Sequence, residues 1–203
     1  MSDDGPGPGL KGLNLGCGTS PKKGWLNLDI QAGEGVDVVF DLERCPDEPL
    51  PFDADTFDAL CMWHVLEHVE NVLPLMQELY RIAKPGGQLL IATPHGGNDE
   101  AWMDPTHKRP YFSGSYDYFA QPFYSFADYG YRGDWSFLEL RYRVAKVKVE
   151  DGNGRVDVDD VLRRIDVERN LVEEMIVLLS AVKPIRARNR DLLSKPKVTV
   201  FVD

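Results

Sequence analysis

The hydrophobic positions of this chain fall into short runs separated by polar connections. The first run, residues 13–15, leads directly into a glycine-containing turn, which is typical of a strand that ends at a tight bend. Two more short strands are predicted over residues 25–30 and 36–40. The run 57–63 is almost continuously apolar, as expected for a parallel strand that is covered on both faces.

The pattern becomes helical over residues 69–84. Apolar side chains recur there at intervals of three and four, at Val72, Leu75, Met76, Leu79 and Ile82. The Pro85-Gly86-Gly87 sequence ends this predicted helix, and a fifth strand follows over residues 88–93. Strands that alternate with helices or connections predict a largely parallel α/β sheet.

The second half of the chain is less regular. Residues 111–137 hold 12 aromatic side chains, and two interpretations stay open: core and cover for the sheet, or a lid over an acceptor molecule. We expect a mixture of the two. The lid interpretation rests on Tyr116, Tyr118, Phe119 and Tyr124. A strand is predicted over 137–149, an amphipathic helix over 161–182 and a closing strand over 198–202. We expect a flexible lead over residues 1–12 and one domain over 13–203, with an aromatic-rich insertion at about 98–137.

Candidate ligand-binding residues follow the first three predicted strands. Gly16 and Gly18 end the first strand, Asp29 ends the second and Asp41 ends the third. Ligands of open α/β sheets bind beyond the carboxyl ends of the strands, where glycine lets the backbone approach and a carboxylate can accept ribose hydroxyl groups. Asp29 lies 13 residues after Gly16, nearer than the roughly 20 residues of the dinucleotide fingerprint. This spacing argues against a nicotinamide-dependent dehydrogenase.

In this order the motifs resemble those of the class I S-adenosylmethionine-dependent methyltransferases. The resemblance covers residues 13–94 and rests on the LNLGCG sequence at 13–18, Leu28-Asp29, Asp41-Leu42, LPF at 50–52, Phe57-Asp58, HVLEHV at 64–69 and LYRIAKPGG at 79–87. It implies a Rossmann-like α/β fold: a three-layer sandwich around a mostly parallel, seven-stranded sheet whose last strand is antiparallel. It also implies S-adenosylmethionine as cofactor, bound by Leu15, Gly16, Cys17, Gly18, Asp29, Ile30, Asp41, Leu42 and His64.

A second group of polar residues follows the fourth strand. His64, Glu67 and His68 are spaced i, i+3, i+4, which places them on one side of a helical turn. The spacing also matches an inverted zinc peptidase motif, but the surrounding methyltransferase motifs argue against a peptidase. The turn is similar to that of methyltransferases that bind a metal there, namely small-RNA 2′-O-methyltransferases and some quinone O-methyltransferases. That resemblance implies a divalent metal bound by His64, Glu67, His68 and His107.

The same residues have a plainer interpretation. Glu67 and His68 occur in many methyltransferases without a metal, where they cap a helix or bond to the backbone. His68, His107 and His64 are nevertheless the candidate catalytic residues, and Asp104 is the candidate to orient His107. A base is needed when the acceptor group carries a proton, as a hydroxyl does.

Composition limits the choice of partner and compartment. A net charge of −10 opposes binding to nucleic acid or to an anionic membrane, although a local basic run lies at residues 183–197. Three cysteines without CxxC spacing argue against a disulfide framework. No run approaches the roughly 20 apolar residues of a membrane span, and the N-terminus lacks signal-peptide features, so we expect a cytoplasmic protein. The predicted helix over 161–182 would pack on the sheet or pair with a second copy as a homodimer.

These observations predict an enzyme that transfers a methyl group from S-adenosylmethionine to a small-molecule acceptor, at an oxygen atom. Two alternatives stay open. One is a methyltransferase that modifies RNA or another nucleic acid, and the other is a non-catalytic module that binds S-adenosylmethionine.

Overall fold

A computed structural model describes residues 6–45 and 47–203, and its centre is one twisted sheet. Eight strands form this sheet in the described residues: β1 Gly12–Leu15, β2 Leu26–Asp29, β3 Val38–Val39, β4 Phe57–Trp63, β5 Ala83–Pro94, β6 Trp135–Val144, β7 Glu174–Ala181 and β8 Lys197–Val202. Their order is β3-β2-β1-β4-β5-β7-β6-β8. Only β7 runs antiparallel to its neighbours β5 and β6. The predicted mostly parallel α/β sheet is therefore confirmed.

Three α-helices occur in the part of the chain that the structure describes: α1 Val72–Ile82, α2 Glu100–Met103 and α3 Val158–Arg164. The apolar side of α1 packs against the sheet, and its Leu75, Met76 and Leu79 are fully buried. The helix predicted over 69–84 is thus present but shorter at both ends. At the C-terminal end Ala83 already belongs to β5, where it pairs with Phe57 of β4.

The helix predicted over residues 161–182 was wrong. The segment contains most of α3 and then β7, which lies between β5 and β6. Its side chains alternate, with Met175, Val177, Leu179 and Ala181 buried in the main core and the residues between them facing the other side of the sheet. The segment forms a strand because β7 hydrogen-bonds to β5 on one edge and to β6 on the other. A helix in its place would leave the facing edges of β5 and β6 unpaired.

Two further details of the predicted architecture need correction. The sheet has eight described strands instead of seven, because β8 adds a parallel strand outside β6, and the antiparallel strand is β7 and not the last one in the chain. The predicted three-layer sandwich is also incomplete. The buried residues of α1 and α3 belong to the main core on one face, whereas the other face carries a small cluster of Trp25, Ala59, Cys61 and Leu90.

The short connection between β1 and β2 explains the thin second face. Only residues 16–25 link the two strands, which leaves turns and no helix in that connection. The indole of Trp25 lies directly on β1 instead. It is so close that a Cβ atom at Gly12 would lie only 2.4 Å from the Trp25 ring. Glycine at position 12 therefore makes room for the side chain that covers this part of the sheet.

The aromatic segment belongs mainly to the core. Tyr116, Phe119 and Tyr124 are buried in the main hydrophobic cluster, and the Tyr116 hydroxyl shares a hydrogen bond of 2.9 Å with Thr93 of β5. Tyr118 is about half exposed. Of the two interpretations left open, the structure supports core and cover over a lid. No described helix is long and apolar enough to cross a bilayer.

Candidate functional site

A cavity of about 310 Å³ lies at the carboxyl ends of β1 and β2, beside the turn that follows β4. We call it the Asp29 cavity. It is lined by Gly16, Leu28, Asp29, Ile30, Phe40, Asp41, Leu42, Glu43, His64, Val65, His68 and Val69. Gly16 also lines a second cavity of about 540 Å³, the Gly18 cavity, together with Cys17, Gly18 and Trp63. The two cavities therefore meet at the glycine bend.

The glycine bend requires a backbone that other residues rarely adopt. Gly16 and Gly18 both have positive φ angles, of 64° and 50°. At Gly16 there is also no space for a side chain, since a Cβ atom would lie 2.4 Å from Cγ2 of Val65. The bend can therefore pass close to the turn after β4 and still leave the cavity open on its other side.

Asp29 joins the end of β2 to this bend. Its Oδ2 atom accepts a hydrogen bond of 2.8 Å from the Gly18 amide, and its Oδ1 atom accepts one of 3.0 Å from the Gln31 amide. An ionised carboxylate can accept about four hydrogen bonds, so both oxygens keep acceptor capacity toward the cavity. Asp29 thus holds the loop in place and still offers acceptors to hydroxyl groups.

The remaining predicted cofactor contacts divide into two groups. Asp41 caps the short 3-10 helix Leu42–Arg44 by accepting from the Glu43 amide, and both Asp41 and Leu42 line the Asp29 cavity. Cys17 lines the Gly18 cavity, where burial and the nearby Asp29 raise the pKa of its thiol. Leu15, in contrast, is fully buried in the main core and lines neither cavity, so its side chain is not placed to contact a ligand there.

Comparison with known protein families fits this arrangement. Residues 6–124, which include both cavities and the turn after β4, match the family described as "Methyltransferase domain". The chain belongs to this family. It has the Rossmann-like α/β fold of S-adenosylmethionine-dependent methyltransferases.

Solved structures of methyltransferases share this fold. An S-adenosylmethionine-dependent methyltransferase from Mesorhizobium loti superposes with a TM-score of 0.52 and 15% identity, over 89% of this chain and 93% of that one. One from Archaeoglobus fulgidus gives a TM-score of 0.51 and 17% identity, over 84% and 86%.

The sequence relatives match over a shorter length. A ubiquinone/menaquinone biosynthesis C-methyltransferase from Desulfotalea psychrophila is 35% identical over 69 residues, 33% of this chain and 26% of that protein. The matched part therefore spans about a quarter of this relative.

His64 of the methyltransferase lies between two carboxylates. It follows β4 with a positive φ of 52°, and its ring nitrogens lie 2.6 Å from Glu174 and 3.2 Å from Glu67. The hydrogen bonds to Glu174 and then to Glu67 raise the pKa of His64 to about 9. Both ring nitrogens are thus used by carboxylates, and His64 is not among the residues that the structure groups as possible metal ligands. Glu174 was missed because it lies 110 residues away in a segment predicted to be helical.

The other two histidines of the predicted site lie together. The ring centroids of His68 and His107 are 4.8 Å apart. His68 belongs to the 3-10 turn Leu66–His68 after β4, and His107 follows α2 after β5. One ligand atom from each of Glu67, His68 and His107 lies within 4.8 Å of the others. The structure therefore brings three of the four predicted metal ligands together and leaves His64 outside the group.

Asp104 acts through a residue that sequence reasoning missed. Its Oδ1 atom accepts hydrogen bonds of 2.6 Å from the Thr106 hydroxyl and 2.8 Å from the Thr106 amide. The Thr106 hydroxyl in turn lies 3.0 Å from Nδ1 of His68. Asp104 is 3.9 Å from Nε2 of His107, beyond hydrogen-bond distance. Asp104 thus orients His68 through Thr106, instead of orienting His107 directly as predicted.

Proposed function

We propose that the Asp29 cavity holds the adenosyl part of S-adenosylmethionine and the Gly18 cavity its methionine part. Asp29 would accept hydrogen bonds from the ribose hydroxyl groups, and Asp41 and Leu42 would contact the adenine. Gly16 lines both cavities and so would lie beside the sulfonium that joins the two parts. Ile30 and His64 line the Asp29 cavity and Cys17 lines the Gly18 cavity, so these three residues would also contact the cofactor.

We propose further that the acceptor is a small molecule, methylated at oxygen beside His68 and His107. The observation that carries this proposal is the position of His68, which lines the Asp29 cavity and also contacts His107. An acceptor oxygen there attacks the methyl carbon in line with the carbon–sulfur bond. The electrons of the carbon–sulfur bond would pass to sulfur, S-adenosylhomocysteine would leave, and an imidazole nitrogen of His68 or His107 would take the hydroxyl proton. Positioning supplies much of the rate for such a displacement.

Methylation at carbon is the second candidate. It is favoured by the similarity to the Desulfotalea psychrophila relative, which is a C-methyltransferase. A carbon next to a hydroxyl would use the same two histidines, which would take the hydroxyl proton as the carbon attacks the methyl group. The proton on that carbon would then be lost as the hydroxyl is restored.

Methylation of RNA is less favoured because the basic segment is occupied by contacts inside the molecule. Arg186 bonds to the fully buried Asp134 through Nε and a terminal nitrogen, at 2.9 and 2.8 Å. Arg188 pairs with Asp128, and the Arg190 guanidinium lies over the Phe123 ring. These arginines attach the C-terminal segment to residues 123–134. With a net charge of −10, the protein offers little attraction to phosphate.

Calorimetry with S-adenosylhomocysteine tests the cofactor part of the proposal. We expect 1:1 binding to the wild-type chain, at least tenfold weaker binding to Asp29→Ala and unchanged affinity for the control Asp159→Ala, which lies in α3 away from both cavities. Unchanged affinity in Asp29→Ala would remove this residue from the site. A screen of hydroxylated small molecules with methyl-labelled cofactor, followed by NMR of the product, separates an O-methyl from a C-methyl group. Labelling of RNA in preference to small molecules would contradict the proposed acceptor class.

The homodimer and the cytoplasmic location stay predictions. The expected dimer relied on a helix over residues 161–182, and that segment instead contributes β7 to the interior of the sheet.

A further inference from the structure

We infer that Glu67, His68 and His107 form a binding site for a divalent transition-metal cation beside the Asp29 cavity, which His68 lines. The three residues come from two segments that the sheet brings together, the turn after β4 and the loop after α2. One ligand atom from each lies within 4.8 Å of the other two. Ligands about 2.1 Å from a tetrahedral ion are about 3.4 Å apart, so a small contraction of these side chains completes the site.

The hydrogen bonds around the cluster fix which nitrogens are available. Nδ1 of His107 lies 3.1 Å from the carbonyl oxygen of Ala101, so it carries the proton and Nε2 keeps a lone pair. The Thr106 hydroxyl donates to Asp104, so toward His68 it accepts, and Nδ1 of His68 carries the proton. In the neutral imidazole of His68, Nε2 is then the nitrogen with the free lone pair. Histidines that bind metals are usually oriented by such a bond to their other nitrogen.

Glu67 supplies the third ligand and the strongest reason to expect a cation. Its side chain is only 2% exposed, and Oε1 accepts a hydrogen bond from His64. Oε2 is buried and lacks a hydrogen-bond partner among the described residues. An unpartnered buried carboxylate oxygen is costly. A cation between Oε2 and the two Nε2 atoms would satisfy it.

The donor set indicates the kind of ion. Two imidazole nitrogens and one carboxylate suit Zn²⁺, Mn²⁺, Fe²⁺ or Co²⁺, whereas Mg²⁺ and Ca²⁺ prefer oxygen ligands alone. Three protein ligands also leave coordination positions open, as in catalytic metal sites.

We place the acceptor at these open positions, a step that rests on the proposed function. Because His68 lines the Asp29 cavity, an ion on its Nε2 atom would contact an acceptor oxygen next to the methyl group. With both imidazoles bound to the ion, the cation would itself lower the pKa of that hydroxyl, whose proton would leave to solvent, and would hold the resulting oxyanion in place. We therefore expect acceptors with two adjacent oxygens, such as catechol-like diols, to bind better than acceptors with one.

Cobalt binding to the tag-free protein tests the site without relying on activity. We expect one Co²⁺ per chain by calorimetry, together with visible absorption bands from a site with nitrogen ligands. Glu67→Gln, His68→Ala and His107→Ala should each weaken binding at least tenfold, and Thr106→Val should weaken it by about tenfold or more because it removes a bond that orients His68. His95→Gln is the matched control, because His95 is a buried histidine whose ring accepts from the Gly97 amide outside the cluster.

Circular dichroism of each variant shows whether it is folded. Thr106 is exposed, so we expect Thr106→Val to fold and to test the site even if Glu67→Gln does not fold. Absence of Co²⁺, Mn²⁺ and Zn²⁺ binding by the wild-type protein would overturn the inference, as would equal affinities in wild type and folded His107→Ala. S-adenosylhomocysteine binding, measured separately, tests the proposed function. Loss of one result while the other holds therefore identifies which proposal has failed.

Discussion

Gly16 and Val65 contact each other so closely that a Cβ atom on Gly16 would lie 2.4 Å from Cγ2 of Val65. The contact joins the bend after β1 to the turn after β4, the two segments that border the Asp29 cavity. We predict that Gly16→Ala reduces the affinity for S-adenosylhomocysteine at least tenfold, because the bend must move away from Val65 and from its positive φ. Calorimetry measures the affinity.

Gly86→Ala is the control for backbone strain. Gly86 also has a positive φ, of 77°, but no atom lies within 4 Å of the position a Cβ would occupy, and it is not among the residues lining either cavity. We expect a loss of stability of about 1 kcal/mol in this variant and unchanged affinity. Equal loss of affinity in both variants would mean that general destabilisation, and not the contact with Val65, explains the first result.

Removal of the Tyr116 hydroxyl distinguishes a core role from a lid role for the aromatic segment. Tyr116 is 1% exposed and its hydroxyl pairs with Thr93. We predict that Tyr116→Phe costs about 1 kcal/mol of unfolding free energy, as expected for one buried hydrogen bond. Urea denaturation measures this cost. The affinity for S-adenosylhomocysteine should not change, and a large change would support a lid at this position.

Much of the first half of the fold could be predicted from the sequence. The apolar run at β4, the period of α1 and the glycine bend after β1 each follow from local rules about burial and turns. The second half could not be predicted to the same extent. Ile176 and Leu178 lie on the partly exposed face of β7 and remain apolar, so the segment reads as hydrophobic on both sides and its period of two is masked.

The candidate site shows a similar division. Asp29 ends β2 and Asp41 lies two residues after β3, so their common location at one sheet edge could be predicted from topology alone. The partners of the histidines could not. Glu174 and Thr106 reach His64 and His68 from distant positions in the chain, and local spacing carries no signal for such contacts. The result is that His64, which sequence spacing grouped with the metal ligands, instead bonds to two carboxylates.

The pair of Arg186 and Asp134 should be important for stability. Asp134 is fully buried. Its carboxylate accepts hydrogen bonds from the side chain and the backbone amide of Arg186 and from the backbone amide of Gln121. We predict that Arg186→Ala costs about 3–5 kcal/mol, because it leaves a buried carboxylate without its cation. Urea denaturation measures the cost.

Arg163→Ala is the matched control for that experiment. The Arg163 side chain is 67% exposed and pairs only with Asp160 of the same helix among the described contacts. Exposed pairs of this type contribute less than about 1 kcal/mol. Similar losses in the two variants would show that burial of Asp134 does not set the cost.

Asp58 should make stability depend on pH in the acidic range. Its carboxylate accepts hydrogen bonds from the Lys11 amide and from the Lys84 amino group, and these bonds, the Lys11 amide first, lower the pKa of Asp58. A lowered pKa in the folded state means that this stabilisation is complete above the ordinary aspartate pKa of about 4 and is lost as the pH falls through the folded-state value.

We therefore predict that Asp58→Asn is less stable than wild type by about 1 kcal/mol at pH 7, and that the difference shrinks at pH 3 and below. Urea denaturation at the two pH values measures both differences. A difference that is the same at pH 7 and pH 2.5 would assign the effect to packing and not to the charge.

The indole that lies across β1 has an evolutionary consequence. The connection between β1 and β2 is tied to the strand beneath it, because Trp25 fits only while position 12 has no side chain. We expect the two positions to be substituted only together. Alanine at position 12 should fit when residue 25 is smaller than tryptophan, whereas either change alone should lower stability. Double-mutant analysis would then return a favourable coupling between them, and sequences diverging from this one would have to cross that barrier by replacing both residues.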